Sequence, residues 1–202
     1  PTTFTNISKS AYYIAFMAIG VTFVIATGGI DLSIGTVAIC SALVGGTLME
    51  AGLPMPLVLL TMLATGVLFG LINGILVTRF GLPSFIATLG TMMMSRGLGS
   101  IVSGTKTISF PQGSADGAWF RELFMITSRD GFLPRNFPTG FILLAIAVVV
   151  MALVLNRTQI GRYILSIGSN REATRLSGIN VDYYETIAYV ISGFFAALAG
   201  IA

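Results

Sequence analysis

Long stretches without a charged residue constrain this chain more than any other feature of its sequence. Six of them follow one another, at residues 10–30, 32–49, 51–78, 80–95, 136–156 and 186–202. Such stretches approach or exceed the about 20 apolar residues that an α-helix needs to cross a bilayer, and they lack the alternation of barrel strands. The sequence therefore predicts an all-α, polytopic transmembrane helix bundle with spans near 10–28, 32–49, 55–78, 84–103, 138–155 and 185–202.

The composition supports lipid as the solvent and excludes several classes of protein. Only 9% of the 202 residues are charged, whereas a soluble domain has about 25%. The chain has no histidine and one cysteine, Cys40, so it cannot build a zinc site or a Ser-His-Asp triad by itself. It has no P-loop motif for ATP. We therefore expect no metal, no cofactor and no nucleic-acid partner, and we interpret the methionines at 92–94 as packing residues.

Positive residues predict the orientation, because cytoplasmic loops are enriched in Lys and Arg. The loop 156–184 contains Arg157, Arg162, Arg171 and Arg175, which indicates the cytoplasmic side. The loop 104–137 is then extracytoplasmic. Its aromatic and charged residues suit either a lid over the bundle or a docking surface for a soluble partner. We expect residues 1–202 to form a single transmembrane domain from the middle of a longer protein, because the sequence lacks an initial Met and ends within an apolar stretch.

Small residues recur every four positions on two predicted spans, and this spacing lets helices approach closely in lipid. They are Gly66, Gly70, Gly74, Ser192, Ala196 and Gly200. Asn73 lies beside Gly74 and is able to hydrogen-bond across such a contact. We predict that the three glycines of the third span pack against another helix.

The segment 28–35 (Gly-Gly-Ile-Asp-Leu-Ser-Ile-Gly) interrupts an apolar region, and Asp31 is the only charged residue between Lys9 and Glu50. Asp31 or Ser33 could cap the second helix, which would stabilise it by about 1 kcal/mol. The segment could also be a polar break of the kind that lines a route across the membrane between discontinuous helices. The two interpretations are compatible.

Arg96 is the second charge within a predicted span. An arginine at the bilayer centre costs about 3 kcal/mol or more unless it is paired or hydrated. Arg96 lies about 20 Å above Pro83 on a helix that rises about 1.5 Å per residue, so its side chain could extend to the outer interface or bind inside the bundle. Because Asp31 lies near the inner boundary, a direct ion pair between Asp31 and Arg96 is not expected.

A short charged helix is predicted at 169–178 within the loop 156–184. Ser169 and Glu172 have the spacing of a capping box, and Gly178 suits the left-handed position after a helix. A small apolar face is formed by Ala173 and Leu176, which lie three residues apart. Another face carries Arg171 and Arg175. The complete segment is Ser169, Asn170, Arg171, Glu172, Ala173, Thr174, Arg175, Leu176, Ser177 and Gly178.

Three motifs in this order carry a resemblance to a known family. They are the segment 28–35, the segment 85–91 (Phe-Ile-Ala-Thr-Leu-Gly-Thr) with Arg96-Gly-Leu98, and the segment 170–181 (Asn-Arg-Glu-Ala-Thr-Arg-Leu-Ser-Gly-Ile-Asn-Val). Together they resemble the ribose-type sugar permeases of bacterial ABC importers, which are related to branched-chain amino acid permeases. Ser169 and Thr174 depart from residues common in that family, without removing the helix signal.

The resemblance implies a permease subunit, without a catalytic site, in the bacterial inner membrane. Its expected partners are an ABC ATPase subunit that receives the 169–178 helix, a sugar-binding protein outside and a second permease subunit. Candidate polar groups along the translocation pathway are Asp31, Ser33, Asn73, Thr88, Thr91 and Arg96. A branched-chain amino acid permease and an ATP-independent secondary transporter remain alternatives.

Overall fold

The computed structural model describes residues 2–111, 119–122 and 139–202. All regular secondary structure in these ranges is α-helical, which confirms the predicted fold class. The helices are α1 (Thr2–Ala26), α2 (Ile34–Glu50), α3 (Met55–Thr78), α4 (Ser84–Ser103), α5 (Trp119–Glu122), α6 (Gly140–Arg157), α7 (Gln159–Ser169), α8 (Arg171–Leu176) and α9 (Val181–Ile201). Most of the predicted loop 104–137, namely 112–118 and 123–137, lies outside the described residues.

The six long helices correspond to the six predicted spans. Among the described residues, α3, α4, α6 and α9 are long and apolar enough to cross a membrane, and shorter apolar segments cover residues 11–26 and α2. Helix α9 begins at Val181, four residues before the predicted span, because Asn180 caps it by accepting a hydrogen bond from the Tyr183 amide (3.1 Å). Its first turn therefore carries one charged residue, Asp182, before the predicted span begins.

Helix α3 packs closely against α9 through its glycines. A side chain at Gly66 would collide with the Gly193 carbonyl, and one at Gly70 would collide with the Tyr189 carbonyl. Gly74 lies against Thr186 in the same way. The three glycines form one stripe on α3, and their lack of side chains brings the two backbones into direct contact. This pair is the centre of the bundle.

Helix α6 is peripheral, in contrast to α3 and α9. Gly140 is its only buried residue, and α6 is also the most apolar of the four candidate spans. A helix that is both apolar and unburied is suited to contact with lipid. Helix α6 packs mainly against α1 and α7, so it lies on one side of the bundle.

The loop 156–184 holds two helices, and the predicted helix bounds and capping box were wrong. Ser169 is the last residue of α7, and the short helix α8 runs from Arg171 to Leu176. Asn170 has an extended backbone and caps α8, because its Oδ1 accepts a hydrogen bond from the Ala173 amide (2.9 Å). Gly178 adopts the expected left-handed conformation, with φ of +82°.

The close contact between α3 and α9 predicts a difference between two glycine substitutions. Gly70→Ala forces a methyl group against the Tyr189 carbonyl, and such overpacking is expected to destabilise the protein by about 1–3 kcal/mol. Gly35→Ala is the control, because nothing lies within 4 Å of its added methyl group. Unfolding is measured by heating the protein in detergent with a thiol-reactive dye. The dye reacts with Cys40 only when unfolding exposes this buried side chain. Equal transition temperatures for the two variants would contradict the packing.

Candidate functional site

Residues 27–33 separate α1 from α2 and are called the break below. Gly28, with φ of +84°, ends α1 in a Schellman motif, in which its amide and that of Gly29 donate to the carbonyls of Ile25 and Val24. Gly29 has no room for a side chain, because an added methyl group would lie 2.7 Å from the Tyr189 hydroxyl. The two glycines therefore have separate roles, one in backbone conformation and one in packing.

Asp31 lies at the centre of the break and is buried. Its Oδ1 accepts hydrogen bonds from the Ser33 amide (2.9 Å) and the Ser33 hydroxyl (2.7 Å). Its Oδ2 accepts one from the Ser192 hydroxyl of α9 (2.7 Å). No cation pairs with it among the residues that the structure describes. A buried carboxylate is costly unless it is hydrogen-bonded, and here hydroxyl and amide donors meet that need.

Ser33 occupies the N-cap position of α2, but its hydroxyl does not cap the helix. It donates to Asp31 and accepts a hydrogen bond from the Asn73 side-chain amide of α3 (2.8 Å). Thr91 of α4 donates in turn to the Asn73 Oδ1 (2.6 Å). The hydrogen bonds therefore run in one direction, from α4 through α3 to the Asp31 carboxylate.

Thr88 attaches α4 to the same place by a second contact. Its hydroxyl lies 3.3 Å from the Ile30 carbonyl and 2.8 Å from the Ser84 carbonyl, while the Ser84 hydroxyl accepts a hydrogen bond from the Ile30 amide (3.2 Å). Irregular backbone at membrane depth is tolerated where protein satisfies its polar groups. The start of α4 does this for the break.

Five of the six predicted pathway residues therefore belong to one buried network, listed here as Asp31, Ser33, Asn73, Thr88 and Thr91. Arg96 does not belong to it. Its side chain is exposed on α4, and it forms no ion pair with Asp31. Sequence reasoning missed Ser192 as a partner of Asp31 and assigned it only to packing. No local pattern could reveal this bond, because 161 residues separate the two.

Arg96 shares the exposed face of α4 with Met93, Gly97 and Ser100. This face is broad, because the buried residues of α4 lie on the opposite side of the helix. Taken as a whole, α4 is the least apolar of the four candidate spans and α6 the most apolar, and buried residues such as Thr88 and Thr91 contribute to that difference. The exposed face of α4 is mixed, because Arg96, Gly97 and Ser100 lie among apolar side chains such as those of Met94 and Ile101. An arginine is costly in lipid, so this face suits contact with water or protein better than the exposed face of α6 does.

Helix α8 is exposed apart from Thr174. The small apolar face is present, with Ala173 exposed beside Leu176, whose side chain is 78% exposed. Arg175 forms an ion pair within the helix to Glu172 (2.7 Å). The hydrogen bond and charge of Arg175 lower the pKa of the Glu172 carboxyl. Helix α8 thus presents a leucine beside a charged pair, outside the apolar spans.

Comparison with known proteins decides the family. The sequence model described as "Branched-chain amino acid transport system / permease component" matches residues 3–202. The chain belongs to this permease family. No solved structure shows a significant match to it.

Curated relatives of this permease are transport proteins. Fructose import permease protein FruG of Bifidobacterium longum is 39% identical over 190 residues, covering 94% of this chain and 55% of the relative. Galactofuranose transporter permease protein YtfT of Escherichia coli is 36% identical, covering 97% of this chain and 54% of the relative. Ribose import permease protein RbsC of Haemophilus influenzae is 36% identical, with coverages of 97% and 58%. The chain thus spans little more than half the length of these relatives.

The buried network predicts a difference between two asparagine substitutions in this permease. Asn73→Leu removes the link between Ser33 and Thr91 and is expected to cost about 1–3 kcal/mol of stability, because both lose a buried partner. Asn156→Leu is the control, since Asn156 is exposed on α6 and, within the described part of the chain, its side chain bonds only to the Ala152 carbonyl. The temperature at which Cys40 becomes reactive in detergent compares the two variants. If Asn73→Leu left this transition temperature unchanged, the hydrogen-bond network would not be a factor that stabilises the fold.

Proposed function

We propose that this chain is part of the transmembrane permease subunit of an ATP-driven importer for a monosaccharide in the bacterial inner membrane. The relatives are named for import of fructose, galactofuranose and ribose, which supports a sugar as the substrate. The chain itself supplies no catalysis, and a separate ABC ATPase supplies the energy. A sugar-binding protein outside and a second permease subunit complete the transporter.

The single observation that carries this proposal is the geometry of α8. It is a capped helix outside the apolar spans, and it exposes Leu176 almost completely. An exposed leucine flanked by charges is suited to insertion into a groove on a protein partner. We place the ATPase subunit there, with the coupling segment 169–178 on the cytoplasmic side. The positive residues of the surrounding loop support that side.

The exposed face of α4 supports a place for the pathway. Among apolar side chains it exposes Arg96, with Gly97 and Ser100 on the same face, and lipid would not favour the arginine. We propose that this face lines the pathway, which the second permease subunit completes. The buried network would then hold α4 from behind, through Thr88 and Thr91, without facing the sugar.

Two alternatives are distinguished by experiment. The family description names branched-chain amino acids, so the same architecture could import an amino acid, and uptake of labelled leucine tests this. An ATP-independent transporter would leave α8 without its partner. Uptake in vesicles without the ATPase would favour that alternative.

The ATPase assignment predicts that Leu176→Asp and Arg175→Glu abolish most ATP-dependent sugar uptake. A charge in an apolar groove, or a reversed charge at its rim, is expected to weaken association by about 2–4 kcal/mol, or about 30-fold or more. The measurement is uptake and copurification of the ATPase, using the full-length permease in vesicles with its ATPase and binding protein. Gln159→Asp is the control: it adds a similar charge on α7 and should retain both sugar uptake and copurification of the ATPase. Normal copurification of the ATPase with Leu176→Asp would reject the coupling role.

The pathway assignment predicts a contrast between two introduced cysteines. Met93 and Val149 lie near the middle of α4 and α6 and are 53% and 58% exposed. Met93→Cys should react with a charged, water-soluble thiol reagent, because a thiol must meet water to form the reactive thiolate. Val149→Cys should not react, because lipid surrounds it. Equal protection of both cysteines in the assembled transporter would overturn the assignment of α4.

A further inference from the structure

Helix α8 is attached to the bundle by an ion pair with a largely buried carboxylate. The Arg171 guanidinium lies 2.9 Å from Glu185 Oε2 and 3.4 Å from Asp182 Oδ1 on α9. The Glu185 side chain is only 9% exposed, whereas that of Asp182 is 51% exposed. The shorter contact is therefore also the better shielded from water. Removing one partner of a shielded pair is costly, because the other charge is left without compensation.

The same face of α9 contacts the break farther along the helix. Glu185, Tyr189 and Ser192 are spaced by four and three residues, so they form one stripe. Ser192 donates to the Asp31 carboxylate at 2.7 Å, and the Tyr189 hydroxyl occupies the space in front of Gly29. The stripe therefore contacts α8 at one end and the break at the other.

These two contacts are joined by one continuous helix, α9. Seven residues of α-helix separate Glu185 from Ser192, a distance of about 10 Å along the axis. The glycine contacts with α3 support α9 on another side along the same length. A displacement of α8 that pulled Glu185 along the axis of α9 would therefore also shift the hydroxyl that binds Asp31.

We propose that Arg171 is a positioning residue for energy coupling: its ion pair with Glu185 fixes α8 to α9, and α9 transmits the motion of α8 to the break through Ser192 and Asp31. This inference rests on the proposed function, in which the ATPase moves α8. It adds a function to Arg171 that is separate from ATPase binding. The apolar face of α8 binds the ATPase, and Arg171 connects the bound helix to the membrane domain.

A double-mutant cycle tests the proposal in the full-length permease, reconstituted with its ATPase and binding protein. The variants are Arg171→Gln, Glu185→Gln and the pair together. Each single variant should still copurify with the ATPase, because Leu176 is unchanged. Each should raise the ATP hydrolysed per sugar transported by about fivefold or more, which corresponds to the loss of a coupling at the low end of its usual range. The double variant should be no worse than the more impaired single variant, because both remove the same contact.

Asp182→Asn is the matched control, since it removes the longer contact to an exposed carboxylate on the same helix. It should change the ratio less than about twofold, as exposed ion pairs contribute little. A merely structural role would lower the unfolding temperature without changing the ratio of ATP to sugar, so this ratio is the deciding measurement. If the Glu185→Gln variant fails to insert into the membrane, the Arg171→Gln variant alone decides the question. Arg171 is half exposed, so its substitution should still allow the protein to fold.

Three outcomes would overturn the inference. The first is a normal ratio in Arg171→Gln, and the second is additive effects in the double variant. The third is loss of ATPase copurification in Arg171→Gln, which would place the residue on the ATPase surface instead. Failure of the proposed function looks different, because the wild-type protein would then show no ATP-dependent uptake at all.

Discussion

The buried carboxylate of Asp31 is the group on which the arrangement of this bundle depends. A chain segment without helical hydrogen bonds cannot persist in lipid unless protein groups satisfy it, and residues 27–33 are such a segment. Ser33 and Ser192 satisfy the carboxylate, while Ser84 and Thr88 satisfy the backbone at Ile30. Three helices therefore meet at the break: α4 and α9 contact it directly, and α3 reaches it through the hydrogen bond from Asn73 to Ser33.

The two loop helices are built onto the parts of the bundle that surround this break. Helix α7 places Ile164 in a cluster with Phe23 of α1 and Ala188 of α9. Its Gly168 lies against the Ala26 carbonyl, at the end of α1. Helix α8 follows immediately and contacts α9 through Arg171. The segment that we assign to the ATPase is thus attached on both sides of the break, through α1 and α9, and not through a flexible connection.

The exposed faces of α4 and α6 differ in their polar residues, and contacts inside the bundle do not account for this difference. Helix α6 exposes an almost purely apolar surface, whereas α4 exposes an arginine, a serine and glycines among its apolar side chains. The buried side of α4 carries Thr88 and Thr91, whose hydroxyls donate hydrogen bonds inside the subunit. Polar residues on the two sides of α4 therefore have different surroundings: those inside hold the break, and those outside are the ones that we propose face the pathway.

The sequence alone determined the fold class, the six apolar helices, and the left-handed Gly178, because hydropathy over about 20 residues and the freedom of glycine are local properties. It also singled out Asp31 and the helix near 169–178. The local sequence pattern indicated the wrong cap for that helix. Ser169 has the spacing of a capping residue but belongs to α7, whereas Asn170 has the extended backbone of an N-cap. Only the tertiary structure decided that Ser192 binds Asp31, that Glu185 binds Arg171, and that Arg96 faces outward. Such contacts depend on which helix faces meet, and that is set by packing between residues far apart in the chain.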